Sequence, residues 1–110
     1  MNKRLPDWII VCVWRALLGE IYPSIRAIAV ALSENRTLLI RYYMDRAPTE
    51  MDDESMEIVA TNISASVGFG DSISHIDLDC QYATGPLGDL DCLDGFIYCR
   101  REYDMPPGSL

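Results

Sequence analysis

The spacing of apolar and polar positions changes along the chain, and each change marks an element. The uninterrupted apolar run Trp8–Trp14 continues as RALLGE, and together they predict a buried helix over 7–20. Pro6 suits its first turn, while Gly19 and the restriction that Pro23 places on Tyr22 end it. WIIVCVW taken alone has the β-branched and aromatic composition of a strand, but the combined length suits a helix. Residues 25–33 and 36–45 predict two strands joined by the polar turn SENR. In the first, Ile28, Val30 and Leu32 share one face and Ala27, Ala29 and Ala31 the other. In the second, Leu38, Ile40, Tyr42 and Met44 alternate with Leu39, Arg41, Tyr43 and Asp45. Small residues opposite large ones predict that a helix packs closely on the alanine face.

The period lengthens again from Thr49. Met56, Val59, Ala60, Ile63 and Val67 recur at helical spacing, Gly68 stops the helix, and Asp52 stands three residues after Thr49 as in a capping box. Glu50, Asp52, Asp53 and Glu54 sit in the first turns, where the helix dipole favours anions. A strand follows with Ile76, Leu78, Cys80 and Tyr82 on one face against His75, Asp77, Asp79 and Gln81 on the other. The turn-rich stretch TGPLGDLDCLDG leads to a last strand from Phe96 to about Glu102, and 104–110 reads as a frayed tail. The order is α-β-β-α-β-β. It predicts one α+β domain over 1–110, a two-layer sandwich with a four-stranded, mainly antiparallel sheet and two helices on one face. The order resembles two α-β-β units, but the halves share no alignable pattern.

Composition bounds what such a domain can do. At 110 residues, 49% hydrophobic and 24% charged, it can form a single core but has little room for a deep cleft between lobes. The net charge of −8 is uneven. Residues 1–44 carry six bases against three acids, and residues 45–94 carry twelve acids against Arg46 alone. A field of that sign repels nucleic acid and anionic lipid and attracts basic proteins. The N-terminal segment has the cations and apolar run of a secretory signal, but Arg15 interrupts the run, Asp7 precedes it and no small-x-small cleavage site follows. A cytoplasmic chain is expected, with Cys12, Cys80, Cys92 and Cys99 reduced and packed as small hydrophobes.

Asp-Leu-Asp-Cys occurs at 77–80 and again at 89–92. A calcium loop begun at Asp89 would place Leu93 fifth, Asp94 sixth where glycine is needed, and Arg100 twelfth where glutamate is needed. Zinc lacks a Cys-x-x-Cys pair and a second histidine. His75, Asp77 and Asp79 share a strand face, and a metal-dependent hydrolase built on them is the rival reading. Carboxylates at i and i+2 stand about 7 Å apart along a strand, so an ion there would need further ligands. The glycines of VGFGDS follow a helix instead of a strand, unlike a dinucleotide fingerprint. No cofactor is expected. What remains is a row of carboxylates: Asp77 and Asp79 beside His75 on the strand, Asp89, Asp91 and Asp94 on the next loop, and a second group at Asp52 and Asp53. Opposed charge of this kind speeds association with a basic partner. A structural or adaptor subunit would use it equally, and sequence leaves self-association open.

The segments LLGEIYPSIRAIAVALSENRTLLIRYYMDR and PLGDLDCLDGFIYCRREY resemble bacterial toxin-immunity proteins of contact-dependent growth inhibition systems. The resemblance implies a cytoplasmic, noncatalytic protein that binds the C-terminal domain of its cognate toxin, often a basic nuclease, and blocks its active site or substrate-binding surface. It supplies no fixed functional residues.

Overall fold

In the computed structural model, which describes residues 5–67 and 73–102, the elements run α1 (Asp7–Ala16), β1 (Ile25–Leu32), β2 (Thr37–Met44), α2 (Glu50–Val67), β3 (His75–Tyr82) and β4 (Gly95–Cys99), with a 3-10 turn at Leu87–Asp89. This is the α-β-β-α-β-β order that the pattern predicts. The helix stop at Gly68, the Gly70 loop and the tail from 104 lie outside the described residues, as does the side chain of Val67. None of the described helices is long and apolar enough to cross a membrane.

The strands lie in the order β3-β2-β1-β4. β1 pairs antiparallel with β2 and with β4, while β2 and β3 are parallel in register from Thr37↔His75 to Met44↔Tyr82. The sheet is therefore mixed. Parallel neighbours need a long crossover, and α2 provides it. Ile9, Val13 and Ala16 of α1 and Met56, Val59 and Ile63 of α2 pack with Ile28, Val30, Leu38, Ile40, Tyr42 and Met44 in one core. Both helices therefore cover the face that carries the large side chains.

That placement corrects the expectation for the alanine face. Ala27, Ala29 and Tyr43 pack against Ala83, Leu87, Leu90, Leu93 and Phe96, so the β3–β4 connection, not a helix, lies across them. The gap between a helix and a sheet is filled by Ile, Leu, Met and Tyr. An irregular segment lying directly on a sheet needs small residues beneath it.

A bulge organises this second face. The β1–β2 register steps from Ile25↔Met44 to Ala27↔Tyr43, which leaves Arg26 as the extra residue and turns Ile25 into the helix-side core. Arg26 is 6% exposed. Its guanidinium donates to the carbonyls of Ala83 at 2.9 Å and Gly85 at 2.7 Å, and to both carboxylate oxygens of Glu102 at 2.8 and 3.1 Å. The hydrogen bond from Arg26 holds the Glu102 carboxyl below its ordinary range, assisted by Arg100. Asp94 secures the far end of the connection: its N–H donates to the Val30 carbonyl and its carboxylate accepts the Leu32 N–H, both at 2.9 Å. β4 is shorter than expected and ends at Cys99, where Arg100 turns to pair with Asp45 and Glu102.

α1 departs from the expected buried helix in two respects. It ends at Ala16, and residues through Glu20 form turns with Gly19 at φ +79°. It also buries only one side, leaving Trp8, Val11 and Trp14 exposed. The Trp14 indole N–H donates at 2.9 Å to the carbonyl of Ile97, the extra residue where β4 shifts register against β1.

Replacing Arg26 by methionine keeps most of the stem but strands two carbonyls and Glu102. The expected cost is about 2–3 kcal/mol, read from the urea midpoint. Amide exchange should rise first in residues 83–94; uniform loss across the sheet would refute the clamp.

Candidate functional site

β3 is an edge strand whose outward side chains alternate as expected, with Ile76, Leu78 and Cys80 turned to the helix-side core. Tyr82, grouped with them by alternation, lies at the strand end and is exposed. On the outer face His75 and Asp77 are both exposed, and the imidazole Nε2 stands 2.7 Å from Asp77 Oδ1. Asp79 is different. The parallel register sets Arg41 directly beside it, and Arg41 Nε donates to its carboxylate at 2.7 Å while Gln81 donates at 2.9 Å. Its charge is locally offset, whereas that of Asp77 faces water.

The loop acids divide in the same way. Asp89 is exposed on the 3-10 turn. Asp91 is exposed too, but its carboxylate accepts the Leu93 N–H at 2.9 Å, beside a backbone held at φ 55°, and its carbonyl accepts the Tyr43 hydroxyl at 2.7 Å. Asp94 is half-buried, with its carboxylate on the Leu32 N–H. Asp77 and Asp94, far apart in sequence, meet across a shallow concavity of about 610 Å³ on the open sheet face, together with Glu34, Thr37 and Leu39. Sequence reading missed Glu34, because a turn residue reveals its neighbour across the sheet only once β3 is placed beside β2.

The group on α2 separates. Asp53 is exposed, but Asp52 is fully buried, which corrects its assignment to an acidic surface. As the residue that completes the capping box, it folds back to accept the Thr49 N–H at 2.8 Å. It also accepts two bonds from Arg46, at 2.7 and 3.1 Å, and one from the Tyr22 hydroxyl. These donors, Arg46 foremost, hold its carboxyl well below the usual carboxylate range against the opposing effect of burial. Asp52 joins the α1–β1 connection to the start of α2 and offers no charge to a partner.

Among the described residues, no three His, Cys, Asp or Glu side chains converge on a common point. The rival trio of His75, Asp77 and Asp79 has its third member engaged by Arg41. The thiols do not join it: Cys80 lies on the opposite sheet face, and burial, with Asp52 and Asp53 adding to it, pushes it up to about 11. Cys12 is buried, Cys80 and Cys92 are half-buried, and Cys99 is exposed, so the expectation of packed thiols fails at Cys99.

The described face is thus a sheet surface that bears carboxylates around a shallow concavity. Residues 6–102 match the model of a family of immunity proteins. That family is the MafI2 immunity proteins, and the chain belongs to it. None of the curated proteins matches the chain.

The depressed Asp52 carboxyl sets a pH dependence. Since its folded pKa lies below the unfolded value of about 3.9, its contribution is complete above that value and is lost as pH falls toward the folded one. Asp52→Asn should lower stability at neutral pH by on the order of 2 kcal/mol. The gap from the parent should narrow in urea melts below about pH 4, and an equal gap at both pH values would show that the charge is immaterial.

Proposed function

We propose that this immunity protein neutralises a basic toxin domain, a nuclease of a contact-dependent inhibition system, by binding it stoichiometrically at the open sheet face. The observation that carries the reading is the uneven compensation of the carboxylates. Asp52 and Asp79 are paired internally, while exposed Asp77 lines the concavity with Asp94 and Glu34 and exposed Asp89 stands on the connection whose Leu87 and Leu90 pack on the same sheet face. Exposed carboxylates also stand on α2, at Glu50, Asp53, Glu54 and Glu57, but Asp77 and Glu34 border the concavity of the sheet face. Carboxylates placed there would occupy the toxin groups that otherwise contact phosphate, and long-range attraction between a −8 chain and a cationic domain would speed capture. His75 and Asp91 sit at the border of this surface, and Asp53 belongs to the helix layer, a secondary contact at most.

The test pairs the protein with the toxin domain encoded beside it. Asp77→Lys with Asp89→Lys leaves every internal hydrogen bond described above intact except that between His75 and Asp77. It should slow association on the order of tenfold at low salt, with the difference shrinking as salt is added. Asp91→Lys is a poorer probe, since it would also release Leu93. Unchanged association and unchanged protection of cells making the toxin, or a neutral or acidic toxin domain, would end the electrostatic account.

A further inference from the structure

The helix layer carries a second surface that the toxin-binding reading does not use. Trp8, Val11, Trp14 and Leu18 are 43, 47, 54 and 77% exposed, and Ile21 beyond them is 37% exposed. Spacings of three, three and four residues place the first four on one side of α1 and its last turn. The opposite side already fills the core with Ile9, Cys12, Val13 and Ala16, so the exposed row is not overflow from packing. Trp14, Leu18 and Ile21 also border a concavity of about 290 Å³ with Ile97 and Tyr98. Single exposed apolar residues need no account, but a continuous row with two tryptophans marks a contact surface.

Charge selects the occupant. α1 carries one exposed acid, Asp7, and one exposed base, Arg15, and Lys3 and Arg4 precede it in sequence, so the row lacks the negative charge that dominates a chain of −8. A basic toxin is drawn to carboxylates, which cluster on the sheet face and on α2 and not along this row. A second copy, itself at −8, is repelled along most approaches and least at this row. Asp7 and Arg15 stand four residues either side of Val11. Two α1 helices packed antiparallel therefore set each acidic end beside the partner's basic end, with their dipoles opposed.

We propose that two copies of this chain associate across a two-fold axis near Val11, α1 against α1, and leave both open sheet faces outward for toxin. The choice of a second copy over the toxin rests on the toxin-binding reading above, so the test keeps the two apart. Sedimentation of the isolated full chain at low and high salt should show a concentration-dependent dimer of 12.4 kDa protomers. Its dissociation constant should change little with salt, because screening weakens both the repulsion between like-charged copies and the Asp7–Arg15 attraction, whereas toxin binding should weaken. Val11→Glu and Leu18→Glu, made separately, should each raise that constant on the order of tenfold or more. Measured below the dimer's dissociation constant, their urea midpoints should match that of the parent, since both side chains face solvent in the separate copy. A monomer at all concentrations, or a dimer that persists in both variants, overturns the proposal. If the parent is monomeric and the same variants lose toxin protection, the row belongs to the toxin interface and the proposal fails. Asp77→Lys with Asp89→Lys should leave the dimer intact, so failure of the toxin reading would not disturb this result.

Discussion

The second face of the sheet depends on Arg26. A single extra residue in β1 turns this guanidinium out of the strand alternation and into contact with two backbone carbonyls and Glu102. A buried cation is costly unless its donors are taken up, and here three segments are drawn together to satisfy it. The β3–β4 connection is thereby held on the alanines of β1, and Tyr43 and Asp94 fasten the rest of it. Without that closure the loop carboxylates would have no common surface with those of β3.

The same economy decides which acids remain available. Asp52 and Asp79 are consumed by arginines, Asp94 by a strand amide and Asp91 by a turn amide, whereas Asp77 and Asp89 keep their charge toward water. A net charge of −8 therefore overstates what the sheet face offers, since other exposed acids, Glu50, Asp53, Glu54 and Glu57, stand on α2. In the proposed reading, the sheet face that carries Asp77 and Asp89 speeds capture of a basic toxin. The helix layer complements it with an apolar row. Two surfaces of different chemistry on opposite layers allow two different contacts without competition.

Much of the architecture was legible from hydrophobic period alone. The six elements, their order, the hairpin at SENR, the inward and outward residues of β3 and the Thr49–Asp52 cap all follow from spacing within a few residues, and spacing is what a helix or a strand imposes locally. The alanine face was misread because small residues signal close approach without saying by what. α1 was read as buried because a hydrophobic row aimed at solvent and one aimed at the core look alike in sequence.

For the site, the sequence by itself determined the chemistry: many carboxylates in the second half, one histidine, and the Asp-Leu-Asp-Cys at 77–80 divided by strand alternation into an acidic outer and an apolar inner side. Only the tertiary structure decided which acids are free. Whether Arg41 meets Asp79, whether Arg46 and Tyr22 enclose Asp52, and whether Glu34 joins Asp77 and Asp94 depend on parallel register, a bulge and a crossover. Those are contacts between residues distant in sequence. Local periodicity carries no information about them, because alternation sets the face a side chain points to and not the neighbour it finds there.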